Sequence, residues 1–481
     1  MSIRKGEQIE LTIDRAAFKG KGVGRFEGIA VFVPGTAPGD RVRAQITKKK
    51  KSFCEGKLLE ITEPSPRRIQ PTCIHANVCG GCTWQHLSYE DQTEIKEQQV
   101  RDHMTRIAKL NGGLVQPIIG CEEPFHYRNK MEYSFSVRRW LSEEEIRSEE
   151  FVDDRGLAAG LHAPGRFDKI LNLKECYLQE PDSFRMLDEV RSFCQEHGIE
   201  AYDTYQQSGY IRHLVLRNGR HTGEWMVNLV TNSDNSRVAE AMKTMLLERF
   251  PGITTIVNNI NDQPSPTTRG RYENVLHGPG YITDRIGEFT FRIHSDTFFQ
   301  TNTLQAEKLY EVALHYSLMA NRGLVYDLYC GVGTLSLWLS REFRRVVGIE
   351  LSETSIASAK KNADGNAVEN CEFLPGDMKD TFNDALLEQT GRPDCIVTDP
   401  PRAGMHPDVV RQLKELKVPV LVYVSCNPST LARDLEMLSE VYEVQSIQPV
   451  DMFPQTYHIE AVTQLTLKPE TTASTPPPCP D

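Results

Sequence analysis

Polar and apolar residues alternate in Ile9-Glu10-Leu11-Thr12-Ile13 and again in Arg41-Val42-Arg43-Ala44-Gln45-Ile46, while Gly28-Ile29-Ala30-Val31-Phe32-Val33 is a short apolar run. Pro38-Gly39-Asp40 marks a turn, and Glu55 to Ile61 closes the set. Several short strands in about 60 residues predict a small OB-like β-barrel over residues 1–63. Lys48 to Lys51 are expected in a loop between two of its strands. After the linker Pro64-Ser65-Pro66, residues 88–110 read as a helix with Ser88 at its N-cap. From Tyr127 to Ile293 the pattern is mostly strands, with helices near 182–197 and 233–250, which predicts a central α+β domain over residues 64–290. From Phe291 onward strands alternate with amphipathic helices, the pattern of βαβ units on a parallel sheet. The expected class is α/β, with a doubly wound Rossmann-like domain over residues 291–468. Residues 469–481, rich in Pro, Thr and Ser, are expected to be a disordered tail.

Charge divides the chain. Residues 1–70 carry 15 Lys and Arg against 8 Asp and Glu, a net +7, while the rest carries 40 against 58, a net −18. A basic module on an acidic body suggests an appendage for a polyanion, and a solvated lysine loop is the plainer alternative. No apolar run approaches the roughly 18 residues of a membrane span, so no membrane partner is expected. The opening residues have no apolar signal region, which predicts a cytoplasmic protein. The 12 cysteines are then expected to bind metal, act in catalysis or lie buried rather than form disulfides.

Chemistry concentrates in the last third. Leu324 to Cys330 is a strand, Gly331-Val332-Gly333-Thr334 a tight turn, and Leu335 to Phe343 a helix. Glycines there let a ligand approach the backbone. The next strand, Arg345 to Ile349, ends in Glu350, placed to accept hydrogen bonds from ribose hydroxyls. The turn has G-x-G but not G-x-G-x-x-G, which moves the reading from a dinucleotide to S-adenosylmethionine. An ordinary βαβ turn is the alternative. Cys395 to Thr398 runs into Asp399-Pro400-Pro401-Arg402-Ala403-Gly404, where rigid prolines present Asp399 to the crevice. Neither an aromatic residue nor a cysteine follows the prolines, which points away from adenine methylation and from the Pro-Cys arrangement of cytosine enzymes. Val420 to Ser425 is a buried strand, and Cys426 follows it at the start of a helix, whose N-terminus is expected to lower the thiol pKa. A buried structural thiol is the competing reading. Asp451 to Glu460 forms a polar loop opening onto the last strand.

The set as a whole resembles the RNA 5-methyluridine methyltransferases over nearly the entire chain. The resembling segments are Ser295-Asp296-Thr297-Phe298-Phe299-Gln300-Thr301-Asn302, Asp327 to Gly333, Asp399 to Gly404, Val424-Ser425-Cys426-Asn427-Pro428 and Asp451-Met452-Phe453-Pro454. The first stretch of the chain is similar to a TRAM domain, an OB-like RNA-binding barrel. The resemblance implies methyl transfer from S-adenosylmethionine to uracil C5. That carbon is a weak nucleophile, so a thiolate first adds at C6, and a base later removes the C5 proton. Cys426 is the implied nucleophile, Glu460 the base, and Asp399 the group that holds the uracil edge. Gln300, Tyr329, Gly331, Gly333, Thr334, Glu350, Asp377 and Asp399 are the implied cofactor contacts; relatives often have Asn in place of Thr334.

Cys73, Cys79 and Cys82 fall within ten residues and can close on one metal centre with a fourth ligand from Cys121, Cys176 or Cys194. The family resemblance selects Cys176 and implies a structural [4Fe–4S] cluster. Four thiolates suit zinc equally well. Bacterial tRNA enzymes of this kind typically lack both barrel and cysteines, which favours 23S rRNA over tRNA as the RNA partner. A catalytically idle RNA-binding protein is the reading from another class, and intact Cys426 and Glu460 weigh against it. A monomer is expected.

Overall fold

The alternation near the N-terminus closes on itself. Strands β1 (Gln8–Ala16), β2 (Gly22–Phe26), β3 (Ile29–Val33), β4 (Arg41–Lys49) and β5 (Phe53–Glu63) form a closed barrel in the order β1-β2-β3-β5-β4. This computed structural model describes residues 3–76, 78–148, 155–165 and 169–469; the expected disordered tail lies outside them from residue 470. Ile9, Leu11 and Ile13 point inward with Val31, Val33, Val42, Ala44 and Ile46, and the residues between them face out. The lysine run departs from expectation. Lys48 and Lys49 end strand β4, and only Lys50 and Lys51 stand in the turn. Strand pairing of Lys48 with Glu55 and Lys49 with Cys54 carries the ladder that far.

The central sheet contains β6 (Lys130–Arg138), β7 (Arg155–His162), β8 (Ile170–Asn172), β9 (Ile211–Asn218), β10 (Trp225–Thr231), β11 (Ile253–Ile260) and β12 (Tyr272–His277), ordered β12-β11-β10-β9-β6-β7-β8. Met186, Leu187 and Val190 of helix Pro181–Glu196 and Met242 and Leu246 of helix Ser236–Arg249 cover it. A hairpin follows, β13 (Ile282–Ile286) and β14 (Phe289–Ile293). Its Ile282, Ile286, Phe289 and Phe291 pack with Leu309 and Ala363 of the C-terminal core. A boundary at residue 290 would therefore cut through a hairpin.

The C-terminal sheet has β15 (Leu324–Leu328), β16 (Arg345–Glu350), β17 (Cys371–Pro375), β18 (Cys395–Thr398), β19 (Val420–Ser425), β20 (Tyr442–Val450) and β21 (Glu460–Leu467), ordered β17-β16-β15-β18-β19-β21-β20. The first five are parallel, and β21 runs antiparallel to both its neighbours. Buried on both faces, β18 and β19 carry no exposed residue, which is why their sequences are unbroken apolar runs. Strand order reverses between β15 and β18, so a crevice opens at their carboxyl ends.

Helix Tyr89–Arg106 precedes the central sheet in sequence but packs on the C-terminal one. Ser88 caps it by accepting from the Asp91 N–H at 3.1 Å. Val100 and Met104 enter the same core as Leu431, Leu435 and Ile447. On its other side the Gln99 amide donates to the Ala17 carbonyl at 3.2 Å, and Arg15 lies 3.5 Å from Asp102. One helix thus ties the barrel to the sheet that carries the crevice. Among the described residues no helix is long and apolar enough to cross a membrane.

Candidate active site

The turn after β15 is strained in a way that clears space. Tyr329 has φ +67°, Gly331 +54° and Gly333 +82°. Above Gly331 a Cβ would meet nothing within 4 Å, whereas at Gly333 it would press on the Phe373 ring at 3.0 Å. Gly333 is therefore required by packing, and Gly331 faces open room. The Gly331 N–H donates to the Glu350 carboxylate at 3.3 Å, and the Ser352 N–H donates to its other oxygen at 2.9 Å. Asp377 caps the short helix that follows β17, and its charge contributes to raising Tyr329 to about 12, after burial. Tyr329, Gly331, Gly333, Glu350 and Asp377 thus lie along the carboxyl ends of β15 to β17. An open backbone shelf edged by a carboxylate fits the nucleoside of S-adenosylmethionine.

Two further residues link this shelf to the crevice. The Tyr310 hydroxyl lies 2.9 Å from the Thr334 hydroxyl and also interacts with the Gln300 side chain. Asp327, 1% exposed, accepts from the Ser336 hydroxyl at 2.5 Å, and burial pushes it up to about 7. The charge of Asp399 raises the proton affinity of both. Tyr310 carries no sequence signal, since it looks like any aromatic residue on an amphipathic helix.

Asp399, Cys426 and Glu460 meet where β18 and β19 end and β21 begins. Ser425 pairs with Ala461 and Val450 with Glu460. Burial pushes Asp399 up to about 7. Burial first and then the Asp399 charge hold Glu460 well above the usual carboxylate range, against the opposing pull of Arg402. Burial, then Glu460 and Asp399, push the Cys426 thiol up to about 11. This overturns the expectation of a helix-lowered thiol. The helix Pro428–Leu438 spends its nearby donors on itself: Pro428 has no N–H, the Ser429 N–H goes to Asn427 Oδ1 at 3.1 Å, and the Asn427 N–H goes to Ser425 Oγ at 3.2 Å. Burial then decides the direction, and the two carboxylates in the same space add to it. His458 is held down at about 4 by burial and the charges of Arg402, Lys96 and Arg128, so its imidazole is neutral.

A cavity of about 1290 Å³ is lined by Arg128, Arg217 and the Lys130–Glu132 pair of the central domain and by Phe298, Thr301, Tyr457 and His458, which are near Gln300 and Glu460 in sequence. Phe298 is 70% exposed. Cations and an open aromatic ring suit a single-stranded nucleic acid.

The cysteine segment is stitched to its distant partner. The Ile74 N–H donates to Glu175 at 2.6 Å and the Lys174 N–H to His75 Nε2 at 2.9 Å. Cys82 feels the charges of Cys176, Cys79 and Cys73, and burial pushes Cys73 and Cys82 up to about 12 and Cys79 up to about 11. N–H groups of His75 and Gly81 donate to the sulfurs of Cys73 and Cys79 at 3.4 and 3.3 Å. Four thiols within electrostatic reach, with amides aimed at sulfur, suit a thiolate-bound metal. Yet among the described residues no group of three or more His, Cys, Asp or Glu has the geometry to hold a metal ion. The expected metal centre is therefore not shown: the stitching bonds run from backbone N–H groups to side chains of the other segment, and the four sulfurs do not make a single-ion ligand shell. Cys121 and Cys194 lie elsewhere, the first against Asn302 and the second in the core of the central domain. The described cysteines are all free thiols.

Residues 273–468 match the family model of tRNA (uracil-5-)-methyltransferase, and residues 4–59 match the TRAM domain. An uncharacterized RNA methyltransferase of Chlorobaculum tepidum is 42% identical over 95% of this chain and 96% of its own length. One from Bacteroides thetaiotaomicron is 40% identical over 94% of this chain and 100% of its own length. Among solved structures, the Pyrococcus abyssi tRNA (uracil-54, C5)-methyltransferase in complex with S-adenosyl-L-homocysteine superposes with a TM-score of 0.74 at 28% identity, covering 95% of this chain and 99% of that one.

Proposed function

The chain belongs to the tRNA (uracil-5-)-methyltransferase family and is an S-adenosylmethionine-dependent RNA (uracil-C5-)-methyltransferase; from that premise we propose that it methylates a uridine of 23S rRNA through a covalent Cys426–C6 adduct. The observation that carries the mechanism is the meeting of Cys426, Glu460 and Asp399 in one buried space at the end of β19. The RNA enters through the cavity beside Phe298, and the target uracil stands between Cys426 and the Gly331 shelf. S-adenosylmethionine supplies the electrophilic methyl group there when bound, held by Gln300, Tyr329, Gly331, Gly333, Thr334, Glu350, Asp377 and Asp399.

Cys426 releases its proton to solvent water and its sulfur bonds to uracil C6; the C5=C6 π electrons move onto C5 and its conjugated carbonyl. Asp399, with a proton affinity near neutrality, donates a hydrogen bond to the uracil edge and stabilises the enolate. Glu460, whose own proton has first passed to solvent, takes the C5 proton as carboxylate after C5 has accepted the methyl group, and its raised proton affinity favours that transfer. The C5–H electrons form the C5=C6 double bond, and the C6–S bond breaks to return the thiolate. Cys73, Cys79, Cys82 and Cys176 hold a structural [4Fe–4S] cluster in this reading, supported by the stitched segments and the amides that donate to sulfur. The working division of the chain is 1–63, 64–290 and 291–468 by sequence, with the hairpin that crosses the last boundary packed on the C-terminal core.

The barrel and the cysteine segment together favour rRNA. One observation favours a tRNA target instead: the Pyrococcus abyssi enzyme, described as acting on tRNA uracil-54, matches 95% of this chain. Mass-spectrometric mapping of 5-methyluridine in 23S rRNA and tRNA from a deletion strain separates the two. Loss from 23S rRNA alone is expected, and loss from tRNA alone transfers the assignment to tRNA.

A further inference from the structure

A fully buried lysine is joined to the loop that delivers Glu460. Lys96 and Asp451 are both 0% exposed, and the ammonium lies 2.6 Å from Asp451 Oδ1. The same Nζ donates to the Phe453 carbonyl at 3.0 Å, and the Phe453 N–H donates to Asp451 Oδ1 at 3.1 Å. The Tyr89 hydroxyl donates to Asp451 Oδ2 at 2.9 Å and accepts the Cys121 N–H at 2.6 Å. One turn further along the helix, the Gln92 side chain donates to Gln455 Oε1 at 3.0 Å and accepts the Gln455 N–H at 2.9 Å. Gln455 is held at φ +65°, and its carbonyl accepts from the N–H groups of Thr83 and Trp84 at 2.9 and 3.1 Å.

The register of the sheet converts this anchor into a position for the base. Val450, the residue before Asp451, is the strand partner of Glu460. Fixing Asp451 therefore fixes the backbone directly across from Glu460, and fixing Phe453 to Gln455 fixes the loop that returns to it. A buried ion pair is seldom retained for stability, because apolar residues of similar size often do as well or better. Here the pair specifies one conformation of the loop between β20 and β21.

We propose that Lys96 is a positioning residue that acts through Asp451 to hold Glu460 where it removes the C5 proton. This rests on the reading of Glu460 as the base. Lys96 touches neither RNA nor cofactor, so its loss slows release of methylated RNA more than formation of the adduct. A misplacement of about 1 Å at a reacting group costs on the order of a hundredfold, so a tenfold loss is a moderate expectation.

The test compares wild type, Lys96→Met/Asp451→Asn and Glu460→Gln. The double variant removes both charges together and leaves no uncompensated buried ion. It is expected to form the trapped adduct with 5-fluorouridine RNA at the wild-type rate and with unchanged KM for RNA. Release from natural RNA should fall at least about tenfold, with methylated adduct building up on denaturing gels. Adduct formation and release that fall together, or release at the wild-type rate, overturn the proposal. Adduct building up in Glu460→Gln but not in the double variant overturns the positioning role and leaves the base standing. No adduct in Glu460→Gln removes the base and this inference with it. Should the double variant not fold, Tyr89→Phe, which removes one hydrogen bond to Asp451, carries the test: release is expected to slow about threefold, and an unchanged balance of formation and release overturns the proposal.

Discussion

Cys426 and Glu460 stand side by side at the edge of the sheet: Ser425 and Ala461 are the terminal pair of the antiparallel β19–β21 ladder, and the next residue in that direction is Cys426 just past the end of β19 and Glu460 at the start of β21. The carboxylate adds to burial in raising the thiol to about 11. At pH 7 the free enzyme therefore holds Cys426 as thiol, and thiolate rises about tenfold per pH unit until near 11. Alkylation of Cys426 by iodoacetamide, followed by peptide mass spectrometry, should climb steadily from pH 7 to 10, where an ordinary thiol levels off near 9. Asp399→Asn removes one raising charge and should shift the curve to lower pH. A wild-type plateau at pH 8 would contradict the assigned environment. Cys426→Ala should abolish methylation while calorimetry shows S-adenosylmethionine binding retained.

Glu460→Gln keeps the volume of the side chain and removes the base. Addition at C6 and methyl transfer need no carboxylate at that position, so both should proceed. The adduct then has no acceptor for its C5 proton, and a protein–RNA band carrying labelled methyl should accumulate. Turnover within tenfold of wild type would place the base elsewhere.

Much of this was legible in the sequence. The strand–turn–helix that begins at Leu324, whose helix ends at Leu339 rather than Phe343, and the strands at Arg345–Glu350, Cys395–Thr398 and Val420–Ser425 follow from apolar runs closed by Gly, Pro or a charged residue. Local pattern did not reveal which partner a helix would choose. Tyr89–Arg106 lies between the barrel and the central sheet in sequence and packs on a sheet that begins more than two hundred residues later. Nor could it give the sign of the thiol shift. A helix N-terminus after Cys426 is visible, but the loss of its donors to Asn427 and Ser425 and the arrival of two carboxylates are tertiary facts.

Asp327 should set a slope in stability against pH. Its folded pKa is about 7 against an ordinary value of 3.8, so between those values the folded state binds a proton that the unfolded chain has released. Stability contributed by the protonated group is fully present below pH 4 and lost as pH rises to 7, by a few kcal/mol at most. Asp327→Asn cannot ionise and still accepts from Ser336. The melting temperature of the variant relative to wild type should increase from pH 4 to 7 and stay constant above. A difference independent of pH would mean that Asp327 is already ionised in the fold.

Cys176→Ser separates the cysteine readings. Protein purified without oxygen should be brown and contain about four irons per chain. The variant should lose iron and melt lower, because a metal bound only by the folded state stabilises it. Cys121→Ser and Cys194→Ser should keep it, since neither lies with the stitched segments. Colourless anaerobic protein with one zinc would replace the cluster and leave the ligands; full iron in Cys176→Ser would remove Cys176 from the set.

The lysines at the end of β4 are not equivalent, and salt dependence should tell them apart. Glu55 lies 2.8 Å from Lys21 and 3.5 Å from Lys48, and Lys49 donates to the Ile3 carbonyl at 2.7 Å. Lys50 and Lys51 stand exposed in the turn to β5. A lysine that neutralises a phosphate releases a counterion, and losing it reduces the slope of log affinity against log salt by roughly 0.7–0.9. Lys50→Ala and Lys51→Ala should each lower the slope by about that amount in filter-binding titrations with the rRNA fragment. Lys48→Ala should lower it less, because Glu55 already screens that charge. None should alter turnover on a short single-stranded target at saturating RNA, since the groups that act on Cys426 are Glu460, Asp399 and Arg402, none of them in the barrel. Slopes unchanged in all three variants would make the basic balance of residues 1–70 a solvated surface and move RNA recognition to the cavity beside Phe298.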